Sequence, residues 1–108
     1  MALDIEKLRK LVALDENDPL SRFALGKKLF ETGGDLEEAA GHLRFANEHS
    51  PAHLATYHMR AQVLMKLDRN DEARSVLEKG IERVAGVGEG MGRDLGPAMQ
   101  ALLASISR

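Results

Sequence analysis

The residues best equipped for chemistry are four histidines, a run of alternating glycines and a handful of serines. A zinc site needs three or four converging nitrogen, sulfur or oxygen donors. His49 and His53 are four apart, but Pro51 stands between them at a helix boundary, so they do not share one helical face. His42 and His58 fall on other predicted helices, and the chain has no cysteine, so no metal site is expected. Gly86, Gly88, Gly90 and Gly92 raise the idea of a phosphate-binding loop. No predicted strand precedes them and no Lys-Ser or Lys-Thr pair follows, and the alternating spacing fits neither nucleotide fingerprint. They read as a linker. Ser50, Ser75, Ser105 and Ser107 lie in no nucleophile-elbow context, and no carboxylate pair is set apart in apolar sequence. The expectation is a chain with no catalytic centre and no cofactor.

Composition narrows the class further. At 108 residues the chain can bury a core without staples. Fifteen Lys and Arg against seventeen Asp and Glu leave a charge of -2, too balanced for a nucleic-acid partner, whose phosphates call for a basic surplus. No apolar run approaches the ~20 residues of a membrane span. The start, Met1-Ala2-Leu3-Asp4-Ile5-Glu6, is charged where a secretory signal is apolar, which predicts a cytoplasmic location.

The elements that must position any functional residue are helical. Leu8, Leu11, Val12 and Leu14 recur at three- and four-residue steps and predict a helix over 4–15. Asp18-Pro19 reads as an N-cap and first helical residue, opening a helix over 19–32 that Gly33-Gly34 ends. Asp35, with Glu38 three residues on, is a capping-box pattern opening a third helix toward Ser50-Pro51. Further helices are predicted over 52–67 and 71–85, and a last one from Asp94 through Leu95, Met99, Leu102, Leu103 and Ile106. No stretch alternates as a half-buried strand does.

Two blocks of the chain are offset copies. Glu38, Ala39 and Leu43 recur as Glu72, Ala73 and Leu77, 34 residues on; Gly26 and Leu29 recur as Ala61 and Leu64 at 35. This period, in helix–turn–helix units, resembles the tetratricopeptide repeat. The block 19–53 carries the resemblance best, through Leu25-Gly26, Leu29, the turn glycine before Asp35, Glu38-Ala39, Leu43, Ala46 and Pro51. The block 54–87 is looser. Tyr57 stands where the family often has Trp, Asp68 replaces the turn glycine, Gly80 replaces an alanine, and Ala85 takes the place of the exit proline. Residues 1–16 look like the second half of an earlier unit, and 88–108 like a Gly-rich linker with a capping helix. The resemblance implies one all-α domain of about six helices, a right-handed α-α superhelix of stacked antiparallel helix pairs. Small residues should sit where those helices cross: Gly26 with Ala39, and Ala61 with Ala73, with Ala46 and Gly80 turned to the next unit. Glycine inside a helix otherwise costs up to about 1 kcal/mol, so Gly41 and Gly80 also predict tight neighbours.

In such repeats the first helix of each unit lines the concave side. On 19–32, Arg22, Leu25, Gly26 and Leu29 serve the packing, which leaves Leu20, Phe23, Lys27 and Phe30 for the groove. The matching residues on 52–67 are Ala55, His58, Gln62 and Met65, with Lys66 at the edge. A lining of apolar groups among Lys27, His58 and Gln62 suits a peptide or helix of a partner protein. The expected function is therefore a non-enzymatic, scaffold-like protein-interaction module with no nucleic-acid or membrane partner. The alternative is a self-associating module whose groove is filled by its own C-terminal helix or by a second copy, a homodimer. The family's carboxylate clamp is not expected, because Phe23 and His58 stand where it would have Lys and Asn.

Overall fold

Backbone N–H groups left over at helix starts need acceptors, and three aspartates supply them. Asp4 accepts from Lys7 N–H at 2.9 Å, Asp18 from Leu20 N–H at 3.1 Å, and Asp35 from Glu38 N–H at 3.1 Å. In the computed structural model, which describes residues 4–87 and 94–106, these caps open α1 (Ile5–Leu14), α2 (Pro19–Glu31) and α3 (Leu36–His49). They are followed by α4 (Leu54–Lys66), α5 (Asn70–Val87) and α6 (Leu95–Ile106). Among the described residues there is no strand.

Helix α2 stops through a pair of backbone bonds around a left-handed residue. Gly33 has φ 70°, Gly34 N–H donates to Leu29 O at 2.8 Å, and Gly33 N–H donates to Phe30 O at 3.4 Å. The same pattern closes α4 without a glycine. Asp68 has φ 59°, Arg69 N–H donates to Leu64 O at 2.9 Å, and Asp68 N–H to Met65 O at 3.1 Å. Aspartate tolerates this backbone better than most residues because its short polar side chain can hydrogen-bond to the nearby backbone.

The helix ends differ from the sequence expectation in two boundaries and one cap. Helix α4 begins at Leu54, because residues 51–52 form a turn. The capping box is half made: Asp35 caps α3, but the Glu38 carboxylate turns to other partners, described below. Helix α5 runs on through Gly86 and Val87, which the glycine pattern had assigned to the linker. A glycine raises the cost of the last turn by about 1 kcal/mol without forbidding it. The remainder of that glycine run, 88–93, lies outside the described residues.

The helices sort into two compact units, Met1–Pro51 with α1 to α3 and Ala52–Arg108 with α4 to α6. In the first, α1 and α3 both pack on α2, and the buried side chains include Leu8 and Val12 of α1, Leu25 and Leu29 of α2, and Ala39, Leu43 and Ala46 of α3. In the second, α5 packs along α4, and α6 packs on α5 and α4. Tyr57, Ala61, Leu64, Ala73, Val76, Leu77 and Met99 form its core, and Met65 and Ile81 pack at its edge. The sequence repeat is thus a repeat of burial. Ala39 and Ala73, Leu43 and Leu77, Leu29 and Leu64, and Gly26 and Ala61 are buried pair by pair.

Close approach explains two of the three helical glycines singled out above. A Cβ on Gly26 would lie 2.7 Å from Leu43 Cγ and 3.2 Å from Ala39 O, and one on Gly80 would lie 2.6 Å from Met99 Sδ and 2.7 Å from Tyr57 Cβ. Gly41 is the exception. It is exposed in mid-α3 with nothing within 4 Å of an added Cβ, so it has no tight neighbour. Its helix penalty is uncompensated, and Gly41→Ala is expected to stabilise the protein by about 0.5–1 kcal/mol in urea denaturation.

Candidate binding surface

The eight residues assigned to partner contact lie on the first helices of the two hairpins. On α2, Leu20 is 58% exposed, Lys27 is exposed, and Phe23 and Phe30 are half-buried. The heptad-like spacing of Phe23 and Phe30 places them two turns apart on one side of the helix, while Leu25, Gly26 and Leu29 are buried. On α4, Lys66 is exposed and His58, Gln62 and Met65 are half-buried. Met65 also packs against the core that includes Met99, so part of its surface is used within its own unit.

Burial lowers the pKa of His58 below the ordinary histidine value, because desolvation disfavours the imidazolium. Between the folded and the ordinary value, near pH 6.5, the unfolded chain holds more protons than the folded one. The stability due to neutral His58 is therefore complete above that pH and is lost as pH falls below it, until folded His58 is itself protonated. Denaturant midpoints at pH 7.5 and 5.5 should differ less for His58→Gln than for the native chain.

A polar network in the first unit was not apparent from the spacing of its members. Arg9 of α1 makes a forked ion pair with Glu38 of α3, its Nη2 donating to Oε1 at 2.9 Å. Glu38 Oε2 also lies 3.2 Å from His42 Nε2, and His42 Nδ1 lies 3.3 Å from Arg22 Nη1 on α2. Arg22 only donates, so in the neutral ring Nδ1 accepts and Nε2 donates to Glu38. Arg22 further donates to Glu16 O at 2.9 Å and lies over the Phe45 ring at 4.3 Å, and Phe45 stacks on His49 at 3.9 Å. The bond from Arg9, and then that from His42, hold the Glu38 carboxyl below the usual carboxylate range. The Glu38–His42 spacing of four was visible in sequence; Arg9 lies 29 residues from Glu38, and no local pattern pairs them.

The histidines are dispersed. His42 sits in this network, His49 lies against Phe45, and His53 Nδ1 is 2.7 Å from Thr56 Oγ1. Among the described residues no three His, Asp or Glu side chains gather as metal ligands, and no helix is long and apolar enough to cross a membrane.

Residues 33–88, from the turn glycine of the first hairpin through the whole of α4 and α5, match the family model for the tetratricopeptide repeat. The chain belongs to that family. Its all-α fold agrees with solved structures of the same type. The translocator chaperone SycD of Yersinia enterocolitica type III secretion superposes with a TM-score of 0.86 at 17% identity, over 95% of this chain and 69% of that one. SycD in complex with a peptide of the translocator YopD gives 0.84 at 17%, over 95% and 76%. The TPR2B-domain:pHsp70 complex of yeast Sti1 gives 0.82 at 16%, over 95% and 79%. At these identities the likeness is one of fold. No curated protein sequence matches the chain significantly.

Proposed function

We propose that this tetratricopeptide-repeat chain is a non-enzymatic interaction module that binds a peptide or helix of a partner protein. In this reading 19–53 and 54–87 are the two repeats, and each presents its first-helix stripe: Leu20, Phe23, Lys27 and Phe30 on α2, and His58, Gln62, Met65 and Lys66 on α4. The observation that carries it is the α2 stripe, where Leu20 is mostly exposed and two phenylalanines remain half-buried beside an exposed lysine. Apolar contacts supply affinity, and the polar groups of each stripe, Lys27 on α2 and His58, Gln62 and Lys66 on α4, fix orientation. Support comes also from the relatives of like fold, which include SycD with a YopD peptide and the Sti1 domain in its pHsp70 complex. A surface of this size predicts micromolar affinity, since only the surplus over the cost of association appears as binding.

The test is a pull-down from a cytoplasmic extract with the native chain and with Phe23→Ala plus Lys27→Ala, each checked for folding by circular dichroism. Loss of a specific bound protein from the folded variant supports the assignment. Equal recovery of every bound protein overturns it.

A further inference from the structure

Helix α6 differs from the other helices in how it is held. It carries no charged residue, and its apolar groups, Leu95, Met99, Leu102, Leu103 and Ile106, recur on one face and pack on the α4–α5 core. Met99 is fully buried: its Sδ lies 2.6 Å from the place a Cβ on Gly80 would take, and Tyr57 Cβ lies 2.7 Å from it. The missing side chain of Gly80 is thus a socket for one long side chain. Around it the fit is looser, since Leu95, Leu102, Leu103 and Ile106 stay half-buried. Other junctions carry polar braces: Arg9 with Glu38 between α1 and α3, Arg22 with His42 between α2 and α3, and Arg60 Nη2 with Glu72 Oε2 at 3.3 Å between α4 and α5. Among the described residues no side-chain hydrogen bond or ion pair joins α6 to α4 or α5.

We propose that α6 is a displaceable plug in a second binding site, the α4–α5 face around Gly80, and that the ligand of this site is an apolar amphipathic helix of a partner protein. Apolar burial is non-directional, so a face filled by it alone accepts any helix that presents the same pattern. Helix α6 itself shows that pattern: a long unbranched side chain at the Gly80 socket, with apolar groups four residues before it and three, four and seven after it. A second copy's α6 would offer no more than the resident one, which its tether holds at an effective concentration on the order of millimolar, so exchange between copies is disfavoured. A partner helix gains where α6 falls short. Leu95, Leu102, Leu103 and Ile106 remain partly in water, and broader side chains at those positions would cover more of the face. Loose apolar seating also puts α6 at the low end of local stability, so that it opens while α4 and α5 stay formed. Met65 packs at the edge of this core, but the socket residues Tyr57 and Gly80 belong to neither stripe, so the inference stands apart from the proposed function.

The probe is a fluorescein-labelled synthetic peptide of residues 94–108, followed by anisotropy against the full chain. The native chain, with its site plugged, should bind it weakly. Met99→Asp puts a charge in the socket and should free α6. The full-length variant should then bind the peptide at least about tenfold more tightly, because the competent state is no longer rare. The peptide carrying Met99→Asp should bind neither chain. Phe23→Ala plus Lys27→Ala, which strips the α2 stripe, should leave these results unchanged. In the native chain, amide exchange should be faster in α6 than in α4 and α5. Equal peptide affinity of the native and Met99→Asp chains overturns the proposal. So does a Met99→Asp chain that loses α4 and α5 as well, or α6 amides that exchange as slowly as those of α5, since α6 is then part of the core rather than a plug. Sedimentation velocity separates the two sources of helix. A native chain that dimerises, and fails to do so as Met99→Asp, would give the face to a second copy and overturn the assignment to a partner.

Discussion

Leu43→Ala should be among the most destabilising single substitutions in the chain, at about 2–5 kcal/mol in equilibrium urea denaturation. Leu43 is fully buried, and its Cγ fills the space left by the missing side chain of Gly26 on the facing helix. Truncation removes the transfer energy of the isobutyl group and leaves a cavity between two rigid backbones, which have little room to collapse into it. The same contact makes a second arm of the experiment informative. Gly26→Ala improves helix propensity by about 1 kcal/mol, yet its Cβ would sit 2.7 Å from Leu43 Cγ and 3.2 Å from Ala39 O, so overpacking should outweigh the gain. In a Leu43→Ala background the clash with the leucine is gone and only the contact with Ala39 O at 3.2 Å remains, so Gly26→Ala should cost much less there than in the native chain. A coupling energy of about 1 kcal/mol or more in the double-mutant cycle is expected. Additive effects would mean that α2 and α3 do not meet at this pair.

That pair also shows what the sequence could and could not reveal. Gly26, Ala39 and Leu43 recur as Ala61, Ala73 and Leu77, and a period of 34 to 35 forces each to play the same part twice, so the crossing points were readable before any coordinates. Caps were readable for a similar reason: Asp18 and Asp35 act within three residues, a range that sequence spacing expresses directly. Contacts between elements without a repeat partner were not. Glu38 could have completed a local box with Asp35; instead Arg9, 29 residues away, takes its carboxylate, and a charge-assisted fork outcompetes a single neutral N–H. Gly41 illustrates the opposite error. A helical glycine suggests close packing only if its face turns inward, and position 41 falls on the exposed side of α3, between buried Ala40 and half-buried His42. The α2 and α4 stripes were reached by subtraction, as what remains after the packing residues are assigned. For α2 the remainder is well exposed at Leu20 and Lys27, whereas Met65 on α4 is shared with the core around Met99.

Gly80→Leu should be nearly as costly as loss of Leu43, and should act on one helix more than on the rest. An added Cβ would meet Tyr57 Cβ at 2.7 Å on one side and Met99 Sδ at 2.6 Å on the other, and the further carbons of leucine have nowhere to go. Tyr57 Cβ is fixed to the α4 backbone, and α4 packs along the length of α5, so that side cannot yield. Met99 is the softer neighbour: a thioether on a flexible stem, carried by α6, which ends the unit and touches α4 less than α5. Relief should therefore come by displacing Met99 and loosening α6, at about 2–3 kcal/mol from overpacking together with lost burial. Tyr57 is the only tyrosine and the chain has no tryptophan, so its fluorescence reports this contact alone. The variant should show altered tyrosine emission and faster amide exchange across α6, with α2 and α3 unchanged. Gly80→Ala meets the same contacts at 2.6 and 2.7 Å, the unyielding Tyr57 Cβ among them, so it should also destabilise despite its gain in helix propensity, but by less than Gly80→Leu, which adds three further carbons. An equal loss of protection in α2 and α6 would mean that Gly80 supports the whole chain rather than the seating of its last helix.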